Sequence, residues 1–220
     1  METTHGGARH ELVRTKCERD LGILVIDNLS WTAQATSAAN KANFVLGQLK
    51  RAFKHWTTES CRALYTSLVR PHLEYASSAW NPYRKGDVAI VERIQRRATK
   101  LVPSLKSLDF AERLRHLRLT SLELRRTRGD LIEYYKYSKS LTQLSLSAPP
   151  MPLNARNYDG PARNTRGGDQ RLTKQFTKNT QRDMFFSNRV VSDWNKLPHD
   201  IIIAKSLNNF KNKLDNFLNS

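Results

Sequence analysis

The chain has 220 residues, 39% of them hydrophobic, and 37 lysines and arginines against 20 aspartates and glutamates give it a formal net charge of +17. Such a chain can bury a core of ordinary size, while its charge attracts polyanions. Two cysteines are too few for a disulfide framework, no apolar run approaches the ~20 residues of a membrane span, and the first residues lack the apolar core of a signal peptide. We therefore expect an intracellular protein, cytoplasmic or nuclear, with nucleic acid as its leading partner.

The first part of the chain predicts a short β segment followed by a long helix. Residues 1–11 are polar and predict a disordered start. Leu21, Ile23 and Val25 then alternate with other residues, which indicates one or two strands. The next segment is amphipathic, and these residues recur on one helical face: Ala35, Ala38, Ala39, Ala42, Val45, Leu46, Leu49 and Phe53.

A second helix is predicted to begin near Thr57 and to continue through Pro71 with a kink. The proline removes one backbone hydrogen bond and disfavours helical geometry at the preceding residue. The residues predicted to face inward keep one helical phase across it: Cys61, Leu64, Tyr65, Leu68, His72, Tyr75, Ala76 and Ala79. The rings at its end are interpreted as core packing rather than as a base-stacking site: Tyr75, Trp80 and Tyr83.

Three more helices are predicted before the chain becomes irregular. Asp87 opens the first, and capping boxes from Asp109 to Glu112 and from Thr120 to Glu123 open the others. The first helix is predicted to bury the following residues: Val88, Val91, Ile94, Ala98 and Leu101.

The remaining sequence predicts a linker and a small helical unit. Residues 147–168 are rich in proline, glycine and polar residues, which indicates the linker. Apolar residues at helical spacing then predict the unit over 169–220: Phe186, Val190, Trp194, Leu207, Phe210, Leu214 and Phe217. The expected fold is mainly α, with residues 12–146 forming a helical bundle preceded by a short β segment.

No arrangement of residues predicts catalysis, a metal site or a bound cofactor. The six histidines are scattered, and no glycine-rich loop stands between a strand and a helix. Metal-assisted nucleotidyl transfer needs carboxylates held close together, and the sequence contains no adjacent Asp-Asp pair. We expect neither an enzyme nor a protein that binds a cofactor, a small-molecule substrate or a membrane.

The basic residues are concentrated between Arg84 and Arg128. The planar guanidinium of arginine suits phosphate oxygens, and a helix with arginines on its solvent face can follow a nucleic-acid backbone without reading its sequence. A solvated charged face is the simpler alternative. The residues expected to contact RNA or DNA phosphates are Arg93, Arg96, Arg97, Lys100, Arg125, Arg126 and Arg128.

Seven blocks of sequence add a more specific indication, through their order. They are "ERDLGILVIDNLSW", "ALYTSLVRPHLEYASSAWNPYRKGD", "VERIQRRATKLVPSL", "ERLRHLRLTSLELRRTRGDLIEYYK", "TRGG", "FFSNRVVSDWNKLP" and "SLNNFKNKLD". In this order the chain from about Cys17 onward resembles the carboxy-terminal part of reverse transcriptases encoded by non-LTR retrotransposons (LINEs) of the Jockey and chicken-repeat group. The resemblance implies that Leu21 and Gly22 form the strand turn where the polymerase palm meets the thumb.

The resemblance also implies a thumb-like bundle that grips the template and primer duplex. In that family the motif that binds the catalytic metals and the endonuclease both lie upstream of this region. We therefore expect a nucleic-acid-binding remnant of an RNA-directed DNA polymerase that lacks both active sites, with a palm-containing polypeptide as a further candidate partner. The alternative is a non-catalytic protein-interaction or dimerisation module whose exposed apolar surface recruits another protein.

Overall fold

Helices make up most of the structure. The computed structural model describes residues 2–5, 8–11, 14–143, 145–146, 148–152 and 170–219. The helices are α1 (Thr32–Ala52), α2 (Thr58–Leu64), α3 (Arg70–Glu74), α4 (Ser77–Trp80), α5 (Lys85–Thr99), α6 (Phe110–His116), α7 (Leu122–Ser138), α8 (Thr180–Asp183), α9 (Phe186–Trp194), α10 (His199–Ile202) and α11 (Leu207–Asn219). The predicted fold class, a helical bundle preceded by a short β segment, is confirmed.

Short antiparallel strand pairs accompany the helices. The strands are β1 (Glu2–His5), β2 (Ala8–Glu11), β3 (Cys17–Asp20), β4 (Ile23–Ile26), β5 (Met151–Pro152) and β6 (Leu172–Thr173). The pairing of β1 with β2 differs from the disordered start that the sequence predicts for residues 1–11. Threonine is β-branched and favours extended backbone, and Thr3 and Thr4 are the two central residues of β1.

The β3–β4 hairpin confirms the predicted strands, and its turn contains the two residues singled out in the sequence. Leu21 and Gly22 have φ values of 45° and 85°. A two-residue hairpin turn of type I′ requires a positive φ at both of its central residues, and these values meet that requirement. The Tyr75 hydroxyl donates a hydrogen bond of 3.0 Å to the Leu21 carbonyl. This bond ties the hairpin to the segment that follows α3.

The long helix α1 packs its alanine-rich face against α5. Its buried residues include those predicted from periodicity: Ala35, Ala38, Ala39, Ala42, Leu46 and Leu49. Small side chains on this face allow close approach of the two helices. Phe53 was predicted to face inward, but it is 42% exposed because α1 ends one residue earlier.

A π turn over Tyr65–Val69 connects α2 to α3 and changes the predicted helical phase. The Arg70 N–H bonds to the Tyr65 carbonyl five residues back, so this turn holds one residue more than an α turn. The extra residue rotates the following side chains by about 100° relative to the expected phase. The residues buried along this segment are Cys61, Tyr65, Val69 and Leu73.

The helix containing Pro71 also ends sooner than predicted. It stops at Glu74, and the chain reverses through Ala76, which has a φ of 50°. Trp80 is fully buried, as predicted, and its indole N–H donates to the Tyr75 carbonyl at 2.6 Å. Five residues predicted to face inward are exposed instead, so their predicted placement is wrong: Leu68, His72, Tyr75, Ala76 and Ala79.

The predicted capping signals differ in accuracy. The Asp109 carboxylate accepts from the Glu112 N–H at 2.8 Å and the reciprocal bond is also present, so the capping box at α6 is confirmed. The predicted start of α5 at Asp87 is wrong, because the helix begins at Lys85 and Asp87 lies in its first turn, where its carboxylate accepts from the Thr32 hydroxyl at 3.0 Å. The predicted cap of α7 is wrong by one residue. Ser121, rather than Thr120, accepts from the Leu124 N–H.

Two hydrophobic clusters form the interior, and α7 contributes to both. Leu122 at its start packs in the first cluster with α1 and α5, whereas Leu131 and Tyr135 belong to the second. The second cluster also contains residues predicted to lie inward in the C-terminal unit: Phe186, Val190, Trp194, Phe210 and Leu214. The second cluster therefore contains residues from both sides of the predicted linker. Most of that linker lies outside the residues that the structure describes.

A buried ion pair joins α7 to α9. The Asp130 carboxylate accepts two hydrogen bonds from Arg189, of 2.7 and 2.9 Å, and both side chains are about nine-tenths buried. Arg189 also donates to the carbonyl of Ser78 at 2.6 Å. Because these residues come from three distant segments, the pair fixes the C-terminal helices against the first part of the bundle.

Candidate nucleic-acid interface

The outward face of α5 carries four of the seven predicted contact residues. Arg93, Arg96, Arg97 and Lys100 are exposed and follow one another at helical spacing. The opposite face is held in the core by Val91, Ile94 and Ala98, as predicted. The amphipathic pattern of α5 thus fixes the direction in which its basic side chains point.

Two of these side chains contact uncharged neighbours, which leave their positive charges unneutralised. Arg97 donates a hydrogen bond to the amide oxygen of Asn43 on α1. The Arg96 guanidinium lies 4.1 Å from the centre of the Phe110 ring, a cation–π distance. In the described part of the chain, none of the four α5 cations forms a salt bridge with a carboxylate, so their charge faces solvent.

The three predicted contact residues on α7 are placed differently. Arg125 bonds through two nitrogens to Glu74, and Arg128 bonds in the same way to Asp215 of α11. Both guanidiniums are partly exposed, but each already has an anionic partner.

Arg126 is not on the surface, contrary to the prediction. Its side chain is 2% exposed, and its nearest guanidinium nitrogen lies 3.9 Å from a Glu92 carboxylate oxygen. Burial lowers the pKa of Arg126 and raises the pKa of Glu92, because removing either charge from water disfavours the charged form. The Glu92 carboxylate also accepts the Glu123 N–H at 2.8 Å. Arg126 therefore lies in the buried contact between α5 and α7.

A second basic region, which the sequence did not reveal, is a groove of about 840 Å³. Its walls are formed by the stretch from α2 to the start of α3, the segment after α6, α7 and α11. The arginines that line it are Arg62, Arg70, Arg118, Arg125 and Arg128. They come from three separate parts of the chain, so no local pattern could have brought them together.

Arg118 adopts an unusual backbone conformation at the wall of this groove. Its φ is 51°, in the left-handed region that favours glycine. The Leu119 N–H bonds to the Leu114 carbonyl at 2.9 Å and the Arg118 N–H to the Arg115 carbonyl at 3.0 Å, which together form the Schellman motif that ends α6. The left-handed position of such a motif is usually occupied by glycine, and here it carries a cation.

Neither a metal centre nor a membrane-spanning element is found in the part of the chain that the structure describes. No group of three or more His, Cys, Asp or Glu side chains there could hold an ion. None of its helices is long and apolar enough to cross a bilayer. Comparison with protein-family models, curated proteins and solved structures gives no match to the chain.

Proposed function

We propose that the chain binds the phosphate backbone of RNA or DNA through the outward face of α5. The observation that carries this proposal is the set of four exposed cations with no carboxylate partner among the described residues: Arg93, Arg96, Arg97 and Lys100. Cations left unpaired on a rigid helix can exchange their counterions for phosphates at little conformational cost.

The spacing of these cations suits a polyanion. They cover about 10 Å along the helix at 1.5 Å per residue. One strand of B-form DNA rises about 3.4 Å per phosphate, so the face can meet about three phosphates of one strand. Cations on the solvent face of a helix can contact phosphates without reading bases, which favours contact with the backbone rather than with a particular sequence.

We further propose that the chain corresponds to the carboxy-terminal part of a non-LTR retrotransposon reverse transcriptase and performs by itself neither polymerase nor endonuclease chemistry. Support comes from the ordered sequence blocks and from a hairpin turn at Leu21 and Gly22 that precedes a helical bundle. Primer extension tests this part of the proposal: the chain alone should extend no primer, and extension by the chain alone would overturn it. A separately supplied palm-containing polypeptide should associate with the chain.

The binding proposal is tested with a fluorescently labelled duplex and a titration of salt. The variant Arg96→Ala/Arg97→Ala should weaken binding to all sequences alike and reduce the slope of log affinity against log salt by up to about 1.8, at about 0.9 for each phosphate contact. Arg171→Ala/Lys178→Ala removes the same charge from exposed positions of the C-terminal unit and is the matched control. Equal slopes for the two variants, or no binding by the wild type at low salt, would refute the proposal.

A protein-interaction or dimerisation module remains the second candidate. Large apolar side chains at Phe44 and Phe176 are 66% and 90% exposed, and exposed rings favour contact with another protein. Sedimentation velocity over a range of concentrations distinguishes the candidates: a dimer that weakens in the variant Phe44→Ser, with no salt-dependent binding of nucleic acid, would favour this second function.

A further inference from the structure

We propose that the groove between α2, α7 and α11 is a second phosphate-binding site, in which the Asp215 carboxylate occupies a position that a backbone phosphate takes. This inference rests on the proposed function, because its ligand is the same nucleic acid. It adds a surface whose residues lie outside α5 and which can be altered independently.

The charges lining the groove leave it strongly positive. Five arginines line it against two carboxylates, Glu59 and Asp215. Arg62 and Arg118 are exposed, and neither forms a salt bridge within the described residues. Like charges gathered along a concave wall concentrate the field and attract an anionic ligand.

The contact between Arg128 and Asp215 has the geometry of a phosphate contact. Arg128 donates from Nε and Nη2 to the two carboxylate oxygens, and the Nη2 bond is 2.8 Å long. Guanidinium binds phosphate through the same pair of parallel hydrogen bonds. The two side chains are 30% and 41% exposed, so the pair is open to water and to an approaching anion. A phosphate can therefore replace the carboxylate.

The other paired arginine of the groove is held more firmly. Glu74 accepts two hydrogen bonds from Arg125 and lies 3.7 Å from Arg70, so one carboxylate is shared by two guanidiniums. Its side chain is 21% exposed, half as much as that of Asp215. We therefore place the exchange at Arg128, with Arg62 and Arg118 as the additional contacts.

The lining also indicates which part of a nucleic acid enters. His116 is the only side chain with a ring among the lining residues that the structure describes, and three threonines also line the groove: Thr58, Thr66 and Thr120. Sites that hold single strands through their bases usually contain aromatic side chains for stacking. This groove provides cations and hydroxyls instead, which suits phosphate and sugar.

Arg118 occupies a left-handed backbone position at this wall, which is unfavourable for a residue other than glycine. The strain brings a guanidinium to the groove from a position where glycine would be the stable choice. Substitution at this residue can therefore separate binding from stability.

The test uses the full chain, a labelled RNA duplex and one carboxylate change. Asp215→Asn should bind more tightly than the wild type at about 50 mM salt and steepen the salt slope by about 0.9, because Arg128 no longer exchanges a carboxylate for the phosphate and instead releases a counterion on binding. Asp200→Asn is the control, since Asp200 also lies on the surface, pairs with Lys213 of α11 and lies outside the groove lining. An equal effect of the two changes would show general electrostatics and overturn the proposal.

A second variant tests the groove by loss of charge. Arg62→Ala/Arg118→Ala should reduce the slope by up to about 1.8, while circular dichroism shows the helical content of the wild type. If this variant keeps the wild-type slope while Arg96→Ala/Arg97→Ala loses it, the groove proposal is wrong and binding by α5 stands. If the wild type binds no duplex at low salt, both proposals fail.

Discussion

Replacement of Arg118 by glycine should stabilise the fold and weaken the binding of nucleic acid. Arg118 has a φ of 51°, and a non-glycine residue in this region costs about 1 to 3 kcal/mol. Glycine also increases the conformational entropy of the unfolded chain, which offsets about 0.4 to 1 kcal/mol of the gain. The net expectation for Arg118→Gly is a gain of about 1 kcal/mol in the free energy of unfolding.

The chain contains a matched control for this change. Ser140 has a φ of 52° and ends α7 in the same way, because the Leu141 N–H bonds to the Lys136 carbonyl and the Ser140 N–H to the Tyr137 carbonyl. It is exposed and does not line the groove. Ser140→Gly should therefore give a similar gain in stability and leave binding unchanged.

Two measurements decide the outcome. For a chain of this size, a gain of 1 kcal/mol raises the Tm by about 2 to 4 °C, which thermal unfolding followed by circular dichroism resolves. Fluorescence anisotropy with a labelled RNA duplex should show weaker binding and a flatter salt slope for Arg118→Gly alone. If neither glycine variant is more stable than the wild type, the reasoning about left-handed backbone is refuted. Unchanged binding by Arg118→Gly would remove this arginine from the proposed site.

Other parts of the molecule give three further expectations. Arg189→Ala should lower the free energy of unfolding in urea by about 3 to 5 kcal/mol, because it leaves a buried carboxylate without its partner; a loss below 1 kcal/mol would contradict the role of this pair. Leu73→Ala should lower the free energy of unfolding by about 2 to 5 kcal/mol and Leu68→Ala by far less, since the π turn buries Leu73 and leaves Leu68 45% exposed. A larger loss for Leu68→Ala than for Leu73→Ala would contradict the π turn and favour the helical phase predicted from sequence. A maleimide should label Cys17 and spare Cys61 in the native protein, because Cys61 is buried and burial raises the pKa of its thiol to about 11; mass spectrometry that found both labelled at equal rates would disprove this.

Local patterns were sufficient where a structural element depends on its own sequence. The alanine face of α1 follows from 3.6-residue periodicity over five turns, and the capping box from Asp109 to Glu112 needs only four residues. The basic face of α5 was predictable for the same reason. Its apolar residues must turn toward the core, so Arg93 and Lys100 must turn away.

Sequence reasoning failed where the structure depends on a local irregularity of the backbone or on a contact between distant segments. The helical phase after Pro71 depends on a π turn, and one extra residue in a turn leaves no mark on composition or spacing. The burial of Arg126 depends on Glu92 of another helix. Asp130 and Arg189 are separated by 59 residues, and the groove lining is drawn from four segments. Such sites are determined by packing in three dimensions, which one sequence does not encode in readable form.

The position of α7 in both hydrophobic clusters has a consequence for how the molecule loses its structure. One rigid helix supplies Leu122 to one interior and Tyr135 to the other, so the C-terminal helices cannot detach without exposing part of the helix that completes the first cluster. Unfolding that begins in one cluster therefore destabilises the other. We expect both clusters to unfold together in one cooperative transition, with a calorimetric enthalpy that equals the van't Hoff enthalpy.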